Sequence, residues 1–252
     1  MSKSFCNCRS SRLLLAGALL GSIAAGAQSS GSNTTKLPPA PTIDANVNQN
    51  ETLSAVRYDN KYEVYGGAAF SHFKGGPQLI EGANLGGFDI QGTRWFTPRL
   101  GATANARGYY GTEGPAPNAF NVHGPMVYEH MLLGGVTYRM LSREHAALNA
   151  HAMAGGAYGV FDHSLGSGAT PRDVGLYNNG GSFASTIGGL LDLNRSPKLA
   201  LRISPDWILT RYSGYGTPTV VPSKLVTYNQ NEFGISVGIV YRLGLGKGPR
   251  KH

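Results

Sequence analysis

LALRISPDWILTRY, residues 199–212, decides how this chain folds. Every second residue gives Leu199, Leu201, Ile203, Pro205, Trp207 and Leu209, a wholly apolar set. The alternate set, Ala200, Arg202, Ser204, Asp206, Ile208 and Thr210, carries an arginine and an aspartate. Side chains alternate across a strand with period two, so this is a strand with one greasy face and one charged face. Pro205 sits in the middle of it, where a ladder hydrogen bond would be lost.

Composition narrows where such a strand can live. Charged residues make up 14% of the 252 residues, against roughly 25% in ordinary soluble domains. Glycine, 36 of 252, is about twice its usual share of ~7%. Hydrophobic residues reach only 41% and mean hydropathy is −0.18. Helical membrane proteins need runs of ~20 mostly apolar residues, so that class is excluded. Low charge, abundant Gly and 13 Tyr suit a β-rich chain whose strands are each half apolar.

The first residues are a targeting segment. MSKSFCNCRSSR carries Lys3, Arg9 and Arg12, LLLAGALLGSIAA follows as a short apolar core, and Ala25, Gly26 and Ala27 supply a cleavage pattern. Residues 1–27 are therefore expected to be a signal peptide, cut before Gln28. Both cysteines, Cys6 and Cys8, precede the core. The remaining chain has no disulfide and no cysteine metal site, and no cofactor is expected. Without Lys3, Arg9 and Arg12, 19 basic residues face 14 acidic ones, a net +5. Lys247, Arg250 and Lys251 supply three of those charges. The pI of 9.5 mostly reflects a signal and a tail. No basic run lies among stacking aromatics, so no nucleic-acid partner is expected.

Residues 28–60, rich in Ser, Asn, Thr and Pro, read as a flexible arm. The barrel domain is expected over 61–244, with a basic tail over 245–252. Eight stretches alternate with period two: 62–73, 85–96, 100–110, 127–139, 146–161, 183–194, 199–212 and 231–244. Their connections alternate as well. Those after strands two, four and six are short, with Pro98 and Pro197 in the turns. Those after strands one, three, five and seven are long: 74–84, 111–126, 162–182 and 213–230. This pattern predicts an all-β, eight-stranded antiparallel up-and-down barrel with its long loops at one end. Strands of ~10 residues can cross a bilayer when tilted, and a bilayer tolerates no open sheet edge.

The more apolar face of each strand is assigned outward. Aromatics then fall near strand ends, at Tyr62, Tyr110, Tyr128, Tyr138, Trp207 and Tyr241, as in the girdles of membrane barrels. The inward set contains Glu63, Asp89, Gln91, Asn105, Arg107, Glu129, Arg139, His151, Asp192, Arg202, Asp206, Glu232 and Arg242. A buried charge without a partner costs several kcal/mol, so these groups are expected to form an ion-pair network. Met131, Leu133 and Met153 also point inward and would help fill an eight-stranded interior. Arg94 falls outward, close enough to a turn to snorkel. Pro205 could sit on a bulge, although the alternation passes through it without slipping.

At this point the chain resembles a known family. The TPRL and SPKLALR turns and the last strand, FGISVGIVYRLG, are similar to small bacterial outer-membrane β-barrels, the porin-like group related to the membrane domain of outer membrane protein A. The resemblance covers residues 62–244. It implies a bacterial outer-membrane location, surrounding outer-membrane lipid, assistance from the barrel-assembly machinery and a monomer. In place of a terminal aromatic, the last strand is followed by LGKGPRKH.

Three functions fit such a barrel. The first is a plugged barrel with a structural or surface-interaction role, meeting an extracellular partner through its long loops. The second is a narrow passive pore. The third is a lipid- or peptide-hydrolysing enzyme, drawing on His123, Glu129, His130, Asp162, His163 and Ser164 near the rim. The mixed charges of the inward set favour the plugged barrel, and catalysis is not expected. No histidine pair has metal-ligand spacing and no calcium loop occurs, so no metal site is expected.

Overall fold

The computed structural model describes residue 56 and residues 58–79, 81–166, 168–215 and 224–245. The expected signal peptide, most of the arm and nearly all of the basic tail lie outside the described residues. The elements are β1 (Tyr62–Phe73), β2 (Ala83–Trp95), β3 (Leu100–Thr112), β4 (Met126–Ser142), β5 (Ala146–His163), a 3-10 turn (Pro171–Val174), β6 (Gly180–Asn194), β7 (Leu199–Tyr215) and β8 (Leu225–Leu243). Each strand pairs antiparallel with the next, and β8 pairs with β1 from Tyr62↔Leu243 to His72↔Phe233. The sheet is a closed eight-stranded up-and-down barrel. Closure leaves no free strand edge around the barrel body, where each strand is paired on both sides.

Period-two patterning sets the two faces. In β7 Arg202, Ser204, Asp206 and Thr210 are buried, while Trp207 is 64% exposed. Leu132, Ile187 and Ile239 are likewise at least 61% exposed, whereas Arg202, Asp89 and Glu129 are buried. The distribution is inside-out relative to a soluble barrel.

The strands run further toward the long-loop end than alternation indicates. β7 and β8 continue to Tyr215↔Leu225, which leaves nine residues between them instead of the eighteen expected. The extra rungs, such as Arg211↔Asn229 and Ser213↔Thr227, join polar residues on both strands. Pairing there persists although Ser213, Thr227 and Asn229 interrupt the apolar outer face, so alternation could not mark it. The short turns fall at 96–99, 143–145 and 195–198, the second shorter than the expected 141–145 because β4 runs on to Ser142.

Pro205 needs no bulge. Pairing with β8 passes straight through Pro205↔Ile235. On the β6 side the ladder lapses only opposite Gly189 and Leu190, between Gly188↔Asp206 and Leu191↔Ile203, and resumes in the same register. One missing N–H accounts for that gap. The register shifts that do occur are in β4–β5, between Met126 and Tyr128 and between Arg139 and Leu141.

Candidate functional site

The barrel interior is a column of side chains in three tiers. At the short-turn end, Arg202 spans two carboxylates. Its Nε lies 2.6 Å from Asp192 Oδ1 and its Nη2 donates to Asp192 Oδ2 (2.9 Å) and Glu63 Oε2 (3.0 Å). This two-point grip on Asp192 is the strong form of the pair. Arg139 donates to the other Glu63 oxygen at 3.0 Å. Arg242 lies 3.7 Å from Glu63 and 3.9 Å from Asp192, and donates to Asn194 at 2.8 Å.

Tyr58, at the end of the stretch read as an arm, closes this tier from below. Its ring lies 4.8 Å from the Arg139 guanidinium and 5.2 Å from that of Arg242. Its hydroxyl donates to the Arg143 carbonyl and accepts from Asn194, each at 2.7 Å. Burial pushes the Tyr58 phenol up from its ordinary value, so it stays a neutral donor here.

The middle tier holds Arg107 against Asp206 (2.5 Å) and Asp89 (3.5 Å). His151 Nε2 lies 2.9 Å from Asp206. Asn105 and Ser236 donate to Asp89, and Tyr65 donates to Ser236. The Arg202 guanidinium sits 5.5 Å from the Tyr65 ring, which joins the two tiers. Gly188 makes room for this arrangement, because a Cβ there would overlap Asp206 Oδ1. In these two tiers four arginines meet four carboxylates, and every member is at most 3% exposed.

The third tier differs. Glu129 and Glu232 are buried, and among the described residues neither is ion-paired. Glu129 accepts from the Tyr212 hydroxyl (2.5 Å), and Glu232 accepts from Ser71 (3.2 Å) and Thr210 (3.0 Å). These two stand apart from the ion-pair network in which the sequence reading placed them. Net neutrality explains the split: four arginines can match four carboxylates.

Above them lies an apolar cap that sequence reasoning did not find. Leu79, Val122, Leu165, Val174, Leu176 and Tyr177, all from the long loops, are buried with Phe73, Leu85, Phe161 and Tyr212 from the strands. Phe161 meets Tyr212 edge-on at 5.2 Å and Tyr177 at 5.7 Å. The loops are pinned to one another. Tyr177 N–H donates to the Gly75 carbonyl at 2.9 Å, and Gly75 N–H donates to buried Glu113 at 2.5 Å. Burial pushes the Glu113 carboxyl up, opposed by backbone N–H groups, chiefly that of Gly75. The only sequence signal for the cap is the isolated aliphatic residues within Gly- and Pro-rich loops.

The rim histidines do not assemble a catalytic set among the described residues. His130 points outward and shares a hydrogen bond with Tyr110 (2.8 Å), with Tyr128 against its ring. His163 packs on Tyr128. His123 bonds Asn121 within its loop. Ser164 hydroxyl donates to the His163 carbonyl and accepts from Met126 N–H, so no imidazole faces it. No group of three His, Cys, Asp or Glu residues able to hold a metal occurs among the described residues.

The outer wall carries the aromatic residues. Tyr62, Tyr138 and Tyr241 lie at the short-turn end, and Tyr110, Tyr128 and Trp207 toward the loop end. All are exposed except Tyr128, which is half-buried.

No family profile and no curated protein matches the chain. Solved structures do resemble it, at low identity. Neisserial surface protein A (NspA) is 11% identical, with a TM-score of 0.49, over 73% of this chain and 97% of that one. The outer membrane protein OprG from Pseudomonas aeruginosa is 14% identical, with a TM-score of 0.45, over 73% and 96%. Ail, the attachment invasion locus protein of Yersinia pestis, is 14% identical, with a TM-score of 0.42, over 73% and 99%. The chain is thus similar to small eight-stranded outer-membrane barrels, while its own closed strand pairing is what establishes the fold.

Proposed function

We propose that this protein is an integral β-barrel of the bacterial outer membrane, delivered by its signal peptide, with a blocked lumen and a structural or surface-interaction role. The outer wall carries the reading. Tyr128 and Tyr138 lie ten residue steps apart along β4. At about 3.4 Å per residue and a tilt of about 40°, the two aromatic rows stand about 26 Å apart, the height of a membrane barrel's apolar band. Between the rows the outward side chains of β4 are His130, Leu132, Gly134 and Val136, and those of β8 are Phe233, Ile235, Val237 and Ile239. A water-soluble barrel with this wall would expose an apolar surface far beyond what monomers tolerate.

The interior supports the blocked reading. Arginines held between carboxylates, with Tyr58 below and a loop-built apolar cap above, leave side chains where a pore would need water. The loops fold inward to form the cap, and their outer surface faces the exterior, where an extracellular partner would meet them. A closed barrel offers no strand edge to a second copy, which supports a monomer.

Insertion tests the reading. The purified chain, refolded into phospholipid vesicles, should resist carbonate extraction and migrate faster on a gel before boiling than after. Complete release by carbonate, with one mobility throughout, would contradict it.

A further inference from the structure

The short-turn rim carries a feature that the lumen does not use. A cup of about 530 Å³ opens beside the start of β1, lined in part by Asp59, Lys61, Tyr62, Arg94 and Phe96. A second groove, about 370 Å³ and mostly apolar, adjoins it on the outer wall and shares Tyr62 and Arg94 with it. The strand register shows why the groove exists. Gly92 lies between Val64 of β1 and Ala104 of β3, and Arg94 lies between Tyr62 and Ala102. A glycine set between Val64 and Ala104, with Ala102 one step along β3, leaves a trough in this part of the wall. Ile90, 52% exposed, stands at the next outward position up the strand.

Two cations stand beside the mouth of the trough. The Lys61 backbone is anchored on both sides, since its main-chain N–H donates to the Leu243 carbonyl and its carbonyl accepts from Trp95 N–H. The Arg94 guanidinium lies 5.6 Å from the Phe96 ring. Neither cation is ion-paired among the described residues. Asp59 is the acidic member of the cup, so two positive charges face one negative charge.

We propose that this cup and groove bind one glycerophospholipid of net negative charge from the adjacent leaflet. The phosphodiester sits between Lys61 and Arg94, and an acyl chain lies along Gly92, Ala102 and Ala104. The net positive cup selects the anionic headgroup, the interfacial aromatics Tyr62 and Phe96 mark the headgroup depth, and the trough supplies chain contact that a lipid on a convex wall lacks. This inference rests on the membrane reading above.

The test is lipid competition. The full chain is inserted into bilayers of equal phosphatidylglycerol and phosphatidylcholine, and the lipids retained on release are counted by native mass spectrometry. Insertion is checked in each sample by heat-dependent mobility. Phosphatidylglycerol should be enriched by about fivefold for each cation. The double variant Lys61→Gln with Arg94→Gln should retain the two lipids equally, and Ala104→Phe should retain less of either. Equal retention by the inserted wild type overturns the proposal and leaves the membrane reading standing, as does enrichment that survives the double variant. Displacement of the lipid by millimolar inorganic phosphate would also overturn it, by showing a free-anion site. A wild type that never inserts overturns both.

Discussion

The two ends of the lumen are lined by opposite chemistry. At the short-turn end, Arg139, Arg202 and Arg242 crowd around Glu63 and Asp192 with Tyr58 beneath. At the loop end stand Phe73, Phe161, Tyr177, Tyr212 and aliphatic side chains, over two carboxylates whose only hydrogen-bond partners among the described residues are hydroxyls. The lower tier is built by strands, whose rigid register can hold charges at hydrogen-bond distance. The upper tier is built largely by loops, and apolar contact tolerates their looser geometry because it is not directional. Ionic contacts are placed where geometry is precise, and apolar contacts where it is not.

That contrast breaks most sharply at Arg202. Arg202→Met leaves Asp192 and Glu63 short of their main partner, and removing one member of a buried ion pair costs about 3–5 kcal/mol. Urea unfolding from vesicles should show that loss. Leu176→Ala tests the cap, where a buried leucine's deletion costs about 2–5 kcal/mol. Loop flexibility places the value near the lower bound. Gly188→Ala forces Asp206 away from Arg107 and should cost about 1–3 kcal/mol, as overpacking does. Glu129→Gln and Glu232→Gln should each change stability by less than about 1 kcal/mol, because each removes a carboxylate that no cation balances. A loss as large as that for Arg202→Met would erase the distinction between the tiers.

The smallest effect is a pH dependence. Burial raises the Glu113 carboxyl, so its protonated form is favoured in the folded loops. The stability it contributes is present below the ordinary carboxylate value of about 4.3 and is lost as pH rises through the raised value. Glu113→Gln should flatten that slope in loop hydrogen exchange measured between pH 4 and 7. An unchanged slope would place the titrating group elsewhere.

Much of the architecture can be read from residues such as those of β7, because period-two patterning and an inverted apolar face are local properties. The identity of each ion pair is not. Arg202 meets Glu63 across 139 positions, and which carboxylate it reaches depends on the tilt and closure of the whole barrel. The stretch around Pro205 shows the same limit. Unbroken alternation argues against a slip, yet only the paired structure shows that the missing N–H faced β6. Tyr58 and the loop residues of the cap carry no period at all, since a single apolar side chain in a loop or arm looks alike whether it is buried or wet. The unpaired standing of Glu129 and Glu232 follows from the same global geometry.

The central claim is that the barrel is closed at both ends. Planar-bilayer conductance of the purified, refolded protein tests it most directly. The account predicts no sustained open-channel current from the wild type at moderate voltage. A steady, reproducible single-channel current from the wild type would contradict it.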